Sequence, residues 1–201
     1  MSTDLKPLGK IVRLQIQRSS LTVGEKPNRH YDPAPLLPVK QLTLTPFGAL
    51  ARSAEGEPIL DVHHTQHPTT HHVDNTNPLS VNFTSHYDML KAEYGGHLWN
   101  GCAGENILVD TLARLTLDKL TSGMAIKRQN GGEMIWLREA LVAHPCRPFS
   151  GYVMGGSEAS VKEALQFLDH GMRGFYCQLA GFRRDQAVTI SIGDLVMIPQ
   201  V

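Results

Sequence analysis

The chain has 201 residues, of which 41% are hydrophobic, and its 19 basic residues balance its 19 acidic ones. This length and apolar content predict one folded domain over residues 1–201 and exclude an intrinsically disordered chain. The zero net charge gives no overall field that would attract nucleic acid or an anionic membrane, and the absence of an apolar leader or bilayer-length run predicts a cytoplasmic protein.

The first half of the chain alternates predicted strands with two loops. Lys10–Gln17 alternates apolar and polar residues, which is typical of a strand with one face in water. Lys26–Pro38 holds four prolines, which remove backbone donors that a central strand needs, and it is predicted to be a surface loop. A second strand, Val39–Pro46, follows. Asp61–Pro78 combines five histidines with Thr, Asn and Pro, again a loop composition.

Most of the predicted strands lie in the second half. Nine short strands in all predict a mainly β fold, either a barrel or a sandwich. A closed barrel would leave no exposed sheet edge. The remaining seven strands are predicted at Leu79–Thr84, Asn106–Asp110, Met124–Arg128, Glu133–Ala143, Gly174–Ala180, Ala187–Ile190 and Leu195–Pro199.

Two segments predict peripheral helices on this β body. Ser160 and Glu163 form a capping-box pattern, after which apolar residues recur with helical spacing until a glycine stops them. Ser85 begins a weaker cap for a second helix, which two glycines end. We therefore expect helices near Ser85–Tyr94 and Ser160–His170.

The three cysteines form no CxxC pair, and their odd number indicates reduced thiols rather than disulfides, a zinc ribbon or an iron–sulfur cluster. Cys102 and Cys177 are expected to be buried as small apolar side chains. Cys146 lies between two prolines just after an apolar run, which predicts a thiol at a surface cleft. Arg147 beside it would favour the thiolate and raise its nucleophilicity or metal affinity. Burial explains a single free cysteine equally well.

Two glycine-containing turns could approach a ligand. Gly104, Glu105 and Asn106 begin a strand, where backbone amides and two polar side chains could fix a polar group. Arg173 lies next to Gly174, where its guanidinium fork could bind an anion. From residue types alone, the first segment is better explained as an ordinary turn, and the second equally suits a surface turn.

The order of these motifs is more specific than any one of them. Together they resemble a MOSC domain, the C-terminal domain family of molybdenum cofactor sulfurases, of the stand-alone bacterial type. The resemblance covers Leu79–Val201 and, more faintly, the N-terminal strands. A strand followed by a helix at Ser80–Tyr94 also resembles the family. The motifs that carry the resemblance are Gly104-Glu105-Asn106, Pro145-Cys146, Gly171-Met172-Arg173-Gly174-Phe175-Tyr176 and Ile192-Gly193-Asp194-Leu195-Val196.

This resemblance implies a β-barrel whose cleft holds the family cysteine, matched here by Cys146. Family members either carry sulfur as a persulfide, taken from a cysteine desulfurase that binds pyridoxal phosphate, or bind the molybdenum cofactor in enzymes that reduce N-hydroxylated compounds. Both uses need a thiolate, as a sulfur nucleophile or as a soft metal ligand. Cys146 is therefore the candidate catalytic residue and metal ligand, and the candidate cofactor-binding residues are Gly104, Glu105, Asn106, Arg147, Arg173 and Gly174.

The chain departs from the family pattern at two points. Residues 74–78 read Asp-Asn-Thr-Asn-Pro where the resemblance predicts a histidine followed by an acidic and a basic residue, so no cofactor contact is assigned to that loop. No ferredoxin-like cysteine motif follows the domain. A separate electron-donor protein is therefore the expected partner for any redox reaction. For sulfur transfer, the expected partner is a cysteine desulfurase.

The histidine-rich loop offers a different kind of site. His63, His64, His67, His71 and His72 could place two or three imidazoles on zinc or copper, as in a metal-dependent hydrolase. Such clusters are more often solvated. One of these histidines, with His64 or His67 the favoured choice, could instead line the cleft as a proton donor. A further interpretation is a non-catalytic binding module in which the cleft cysteine is merely buried.

Overall fold

The computed structural model describes residues 4–70, 78–155 and 160–200. These ranges contain 14 β-strands, three α-helices and one short 3-10 helix at Leu117–Leu120. The helices are α1 (Thr84–Tyr94), α2 (Arg147–Met154) and α3 (Val161–Leu168). The strands are β1 (Leu5–Gln17), β2 (Thr22–Val23), β3 (His30–Tyr31), β4 (Leu36–Val39), β5 (Gln41–Thr45), β6 (Gly48–Arg52), β7 (Pro58–Leu60), β8 (Leu79–Phe83), β9 (Ile107–Val109), β10 (Met124–Lys127), β11 (Ile135–Val142), β12 (Phe175–Ala180), β13 (Val188–Ser191) and β14 (Leu195–Pro199).

Seven strands close into a barrel, in the order β14, β10, β11, β12, β8, β9 and β1, with β1 returning to β14. Neighbouring strands are antiparallel except β8 and β9, which run parallel and are joined through α1. A parallel pair needs such a crossover, which fixes α1 against the barrel wall. The predicted mainly β fold is confirmed, and of the two architectures that the strands allowed, the barrel is the one formed.

The first strand is long enough to leave the barrel and build the site. Leu5–Lys10 pairs with β14, Ile11–Leu14 pairs with β9, and Leu14–Gln17 pairs with β4. A register shift in the pairing with β9 lies between Ile11 and Arg13, and such irregularities increase strand twist. The C-terminal end of β1 thereby carries Gln17 out to a cavity beside the barrel.

A second antiparallel sheet, in the order β13, β5, β6 and β7, packs against the barrel. Its inward side chains, such as Leu42, Leu44 and Ile190, are fully buried and share one apolar core with Ile11 and Phe83 of the barrel. Full burial of a side chain of this size contributes about 1.5–3 kcal/mol. This shared core holds the loop after β7 in a fixed position beside the end of β1.

The three helices share a smaller apolar cluster on one side of the barrel. Tyr87 and Leu90 of α1, Phe149 and Val153 of α2, and Leu168 of α3 are all completely buried there. Because Phe149 and Val153 are four residues apart, they project from one face of α2. Their burial fixes the start of α2, where Cys146 lies.

Both predicted helices are confirmed, but the cap predicted at Ser85 is wrong, because α1 begins at Thr84 after Phe83, which makes no side-chain capping hydrogen bond. At α3 the capping box forms as expected: the Glu163 amide donates to the Ser160 hydroxyl at 3.2 Å, and the Ser160 amide donates to the Glu163 carboxylate at 2.8 Å. The sequence did not predict α2, which has Pro148 in its first turn and Gly151 in its middle. Proline is tolerated in a first turn, and burial outweighs the weak helix propensity. None of the described helices is long and apolar enough to cross a membrane.

The prediction that Lys26–Pro38 is wholly a surface loop is wrong. The segment contains β3 and most of β4, and Pro38 lies within β4 opposite Gln15 of β1. In the described sheet β4 is an edge strand, where proline costs no ladder hydrogen bond on the open side. The pairing places Tyr31 and the end of β1 at the same cavity.

Candidate functional site

A polar cavity of about 110 Å³ opens beside the barrel where β1 ends and β12 begins. Seven separate segments form its wall: the end of β1 with the turn after it, β3, the loop after β7, β8, the loop before β9, the residue after β11, and the start of β12 with the turn before it. The volume suits several water molecules or a small anion. The polar and titratable side chains that line it include Glu105, Arg173, His63, Tyr31, Tyr176 and Ser80.

Glu105 is the buried acid of this cavity. Its side chain is only 4% exposed, and the Tyr87 hydroxyl lies 2.8 and 3.0 Å from its two carboxylate oxygens. Burial raises the pKa of Glu105 to about 7, against the opposing effects of hydrogen bonds and of the Arg13 and Arg173 charges. Glu105 therefore changes its charge near neutral pH.

Gly104 allows the chain to pass tightly behind this acid. Its φ is +92°, and a Cβ there would lie 2.7 Å from Leu21 and 3.3 Å from the Gln17 side chain. Any other residue would combine a strained backbone with a collision. Gly104 thus brings backbone, rather than a side chain, to the cavity wall.

Arg173 is the basic residue of the cavity wall. Its Nη1 donates to the carbonyl oxygen of His144 at 2.7 Å, and its guanidinium lies 5.3 Å from the Phe149 ring centre. These contacts link the cavity to the segment that carries Cys146. Gly174 follows with a φ of +107° and lies against Val81, where a Cβ would be 2.8 Å from the carbonyl oxygen. Gly174 therefore positions Arg173 and is absent from the cavity wall.

Asn106 is buried but does not line the cavity. Its side-chain oxygen accepts from the Ser80 amide and hydroxyl at 3.0 and 3.1 Å. Its side-chain nitrogen donates to the Gln15 carbonyl oxygen at 3.3 Å and to the Asp61 carboxylate at 2.8 Å. Asn106 joins β8, β1 and the loop after β7, so the structure places it as a support of the site.

An acid–histidine pair faces the cavity and was not recognised from the sequence. The Asp61 carboxylate is fully buried, and His63 Nδ1 lies 2.8 Å from it. The Gln17 amide and the Asn106 side chain also donate to Asp61, at 2.7 and 2.8 Å. Although burial opposes ionisation, these donors and His63 hold the pKa of Asp61 below its usual value. An ionised Asp61 requires a proton on His63 Nδ1, which fixes the ring tautomer.

Cys146 lies near the cavity but is not among the residues that line it. It is the residue before α2 and is partly exposed, and its carbonyl oxygen accepts from the Ser150 amide and hydroxyl at 2.9 and 3.0 Å. Its thiol is within electrostatic reach of the Tyr31 hydroxyl at the cavity wall. Arg147 begins α2 with an exposed side chain and is absent from the cavity wall. Of these two arginines, Arg173 is therefore the one at the cavity.

The other two cysteines are buried, as the sequence predicted. Burial raises the pKa of the Cys102 thiol and of the Cys177 thiol to about 12. Cys177 lies in the barrel core, whereas Cys102 lies in the helix-side cluster, where its carbonyl oxygen accepts from the Tyr31 hydroxyl at 2.7 Å. Neither thiol is available for chemistry near neutral pH.

Limiting iodoacetamide near pH 7 is expected to alkylate Cys146 before Cys102 and Cys177. Only the thiolate reacts, and burial keeps the other two thiols protonated and out of contact with solvent. Peptide mass spectrometry of time points gives the order, and protein unfolded in guanidinium serves as the control in which the three rates should converge. Alkylation of Cys177 first in the folded protein would contradict the structure.

The described histidines do not share a metal site. His64 is buried, with Nε2 3.4 Å from the Thr45 hydroxyl, and the exposed His67 has Nε2 3.2 Å from the Arg18 carbonyl oxygen. One histidine of this loop does line the cavity, but it is His63, which the turn bonds to Asp61, so the preference for His64 or His67 is wrong. No three potential ligands group together within residues 4–70, 78–155 and 160–200, and His71 and His72 lie outside them.

Comparison with known proteins identifies the family. The family model described as "MOSC domain" matches residues 68–197. The YuaD protein from Bacillus subtilis has a similar structure, with a TM-score of 0.60, 13% identity and coverage of 98% of each chain. A crystal structure of a hypothetical protein gives a TM-score of 0.52 at 16% identity, covering 97% of this chain and 68% of that one. No curated protein matches by sequence. Because the family model spans more than half of the sequence, the chain belongs to the MOSC domain family.

Proposed function

We propose that the protein accepts sulfur on Cys146 and carries it as a persulfide. The observation that supports this proposal is the contrast among the three thiols. Cys146 is partly exposed beside a polar cavity with a cationic wall, whereas Cys102 and Cys177 are buried. A sulfur carrier needs one thiol that a partner can reach and no competing acceptor in the same chain.

Sulfur acceptance requires only thiol exchange. The Cys146 thiolate attacks the terminal sulfur of a persulfide on the donor, forming a new S–S bond and breaking the donor's S–S bond. The electron pair of the broken bond stays on the donor sulfur, which takes a proton from water as it leaves. Arg173 at the adjacent cavity wall supplies positive charge toward the sulfur anions of this step. The donor that the resemblance implies is a pyridoxal-phosphate-dependent cysteine desulfurase.

The second candidate is binding of the molybdenum cofactor, and the residues fit one end of that group. Cys146 would provide a soft sulfur ligand to the metal, and Arg173 would hold a charged oxygen. The cavity of about 110 Å³ is smaller than the 300 Å³ or more typical of small-molecule pockets, so it fits an oxoanion-sized group and not a pterin. When bound, the cofactor would supply two-electron redox chemistry for reducing N-hydroxylated compounds, with electrons from a separate donor protein.

Intact-mass spectrometry after incubation with cysteine and a cysteine desulfurase tests the first candidate. The expected result is a gain of one sulfur atom that dithiothreitol removes. Molybdenum analysis of the freshly purified protein tests the second candidate in the same preparation. A protein that gains no sulfur and holds no molybdenum would support the binding-module interpretation and overturn both proposals.

A further inference from the structure

We propose that the cavity beside Cys146 binds a small oxoanion against Arg173, and that Glu105 must be protonated before the anion can bind. This inference deepens the proposed function and rests on it only in treating the cavity as the ligand site. It assigns to Glu105 the role of a gate whose charge decides whether Arg173 is available.

The case for an anion begins with Arg173. A guanidinium carries five N–H donors in a planar fork that matches oxoanions. The hydrogen bond from Arg173 to the His144 carbonyl oxygen anchors the fork at the cavity wall. The cavity volume of about 110 Å³ matches a tetrahedral oxoanion with a few waters. His63 lines the same wall, and its Nδ1 lies 2.8 Å from the Asp61 carboxylate.

The case for a gate comes from Glu105, the buried acid of the same wall. An ionised Glu105 would repel an incoming anion and would neutralise the Arg173 charge, because the two residues are close enough to interact electrostatically. Protonation removes both effects while the Tyr87 hydroxyl stays within hydrogen-bond distance of the acid. The titratable and charged groups that face Glu105 are Tyr87 from α1, Arg13 from β1, Tyr31 from β3, Cys102 from the same loop, His63 from the loop after β7 and Arg173 before β12.

The expected size of the effect follows from proton linkage. Burial raises the pKa of Glu105 to about 7, so the acid is mostly protonated at pH 6 and mostly ionised at pH 8. If only the protonated form admits the anion, affinity falls by about tenfold between these two pH values. Comparison of wild type with Glu105→Gln at the same pH isolates the contribution of Glu105.

Isothermal titration calorimetry with sulfate provides the test, because sulfate keeps the same charge from pH 6 to pH 8. At pH 6, the sulfate affinities of wild type and Glu105→Gln should agree within about twofold. At pH 8, Glu105→Gln should bind sulfate about tenfold more tightly than wild type. Glu93→Gln, an exposed acid on α1, is the matched control and should follow wild type. Arg173→Gln should lose binding at both pH values.

A second measurement uses only the wild-type protein, so it does not depend on whether a variant folds. Wild-type titrations at pH 7 in two buffers of different ionisation enthalpy should show uptake of about half a proton from Glu105 on sulfate binding. Absence of sulfate binding at pH 6, or equal affinities of wild type and Glu105→Gln at pH 8, would overturn the inference. If Cys146 takes up sulfur but the protein does not bind sulfate, only this inference is overturned. If sulfate binds with the expected pH dependence but no sulfur is taken up, only the proposed sulfur carriage is overturned.

Discussion

Replacing Cys146 with serine is expected to abolish sulfur uptake from a cysteine desulfurase. Serine has nearly the same shape, but its hydroxyl stays protonated at neutral pH and cannot attack a persulfide sulfur. The fold should be unchanged, because the structural contacts at this position use the backbone: the Cys146 carbonyl oxygen accepts from Ser150. Intact-mass spectrometry before and after incubation with cysteine and the desulfurase measures the uptake.

Two further serine variants serve as matched controls. Cys102→Ser and Cys177→Ser should each keep the full gain of one sulfur atom, since burial raises the pKa of both thiols to about 12 and keeps them protonated. Near-ultraviolet and far-ultraviolet circular dichroism shows whether each variant is folded. A Cys146→Ser protein that still gains sulfur would move the acceptor to another cysteine and remove the basis of the proposal.

Removing the cation should slow the reaction without stopping it. Arg173→Ala is expected to lower the rate of sulfur uptake by about tenfold, the effect of losing one charge-assisted interaction of about 1.4 kcal/mol. Arg147→Ala should have a smaller effect, because its exposed side chain does not line the cavity. Equal slowing by the two variants would mean that the thiol responds to Arg147 as much as to the cavity wall.

Strands with a clear apolar pattern could be predicted from the sequence, and those without one could not. Leu79–Thr84 has such a pattern, because Leu79, Val81 and Phe83 alternate with polar residues as in a strand with one face in water. In the structure β8 is nevertheless buried at all five positions, and the polar side chains of Ser80 and Asn82 form hydrogen bonds there. In contrast β6, Gly48–Arg52, begins with glycine and is too short to show alternation, and β2 and β3 have two residues each. These strands pair with their neighbours along the chain, β2 with β3 and β6 with β5 and β7. Their own residues are too few to show a hydrophobic period.

The site was predictable where a residue's chemistry shows in its neighbours. Cys146 and Arg173 lie in motifs whose order indicates the family; Arg173 lines the cavity, whereas Cys146 is not among the residues that line it. His63 was missed because five histidines share its loop and composition does not distinguish them. Its spacing from Asp61 is the one available signal, since residues two apart in a turn can bond as these do. No sequence pattern indicates that Tyr31 reaches the Cys102 carbonyl oxygen.

Glu105→Gln is expected to gain stability relative to wild type as the pH rises. Burial raises the pKa of Glu105 from its ordinary 4.5 to about 7, so between these values the folded protein holds more protons than the unfolded chain. Wild-type stability therefore falls as pH rises through this window, by about 3 kcal/mol in total. Glutamine cannot ionise and keeps an acceptor for Tyr87. Urea unfolding of both proteins measures this effect. The unfolding free energy of Glu105→Gln minus that of wild type should increase by about 3 kcal/mol between pH 4.5 and pH 8.

His86→Gln is the control with the opposite sign. Burial lowers the pKa of His86 from 6.5 to about 4, so the folded protein holds fewer protons than the unfolded chain between these values. Wild-type stability is therefore lost as the pH falls through that window, again by about 3 kcal/mol, and His86→Gln should remove this loss while keeping an acceptor for the Leu115 amide. The profile of unfolding free energy against pH should therefore change on its alkaline side in Glu105→Gln and on its acidic side in His86→Gln. If the stability of Glu105→Gln relative to wild type stayed constant above pH 5, the Glu105 carboxyl would ionise in the folded protein at no cost in stability. Burial of Glu105 would then not restrict the charge of the cavity.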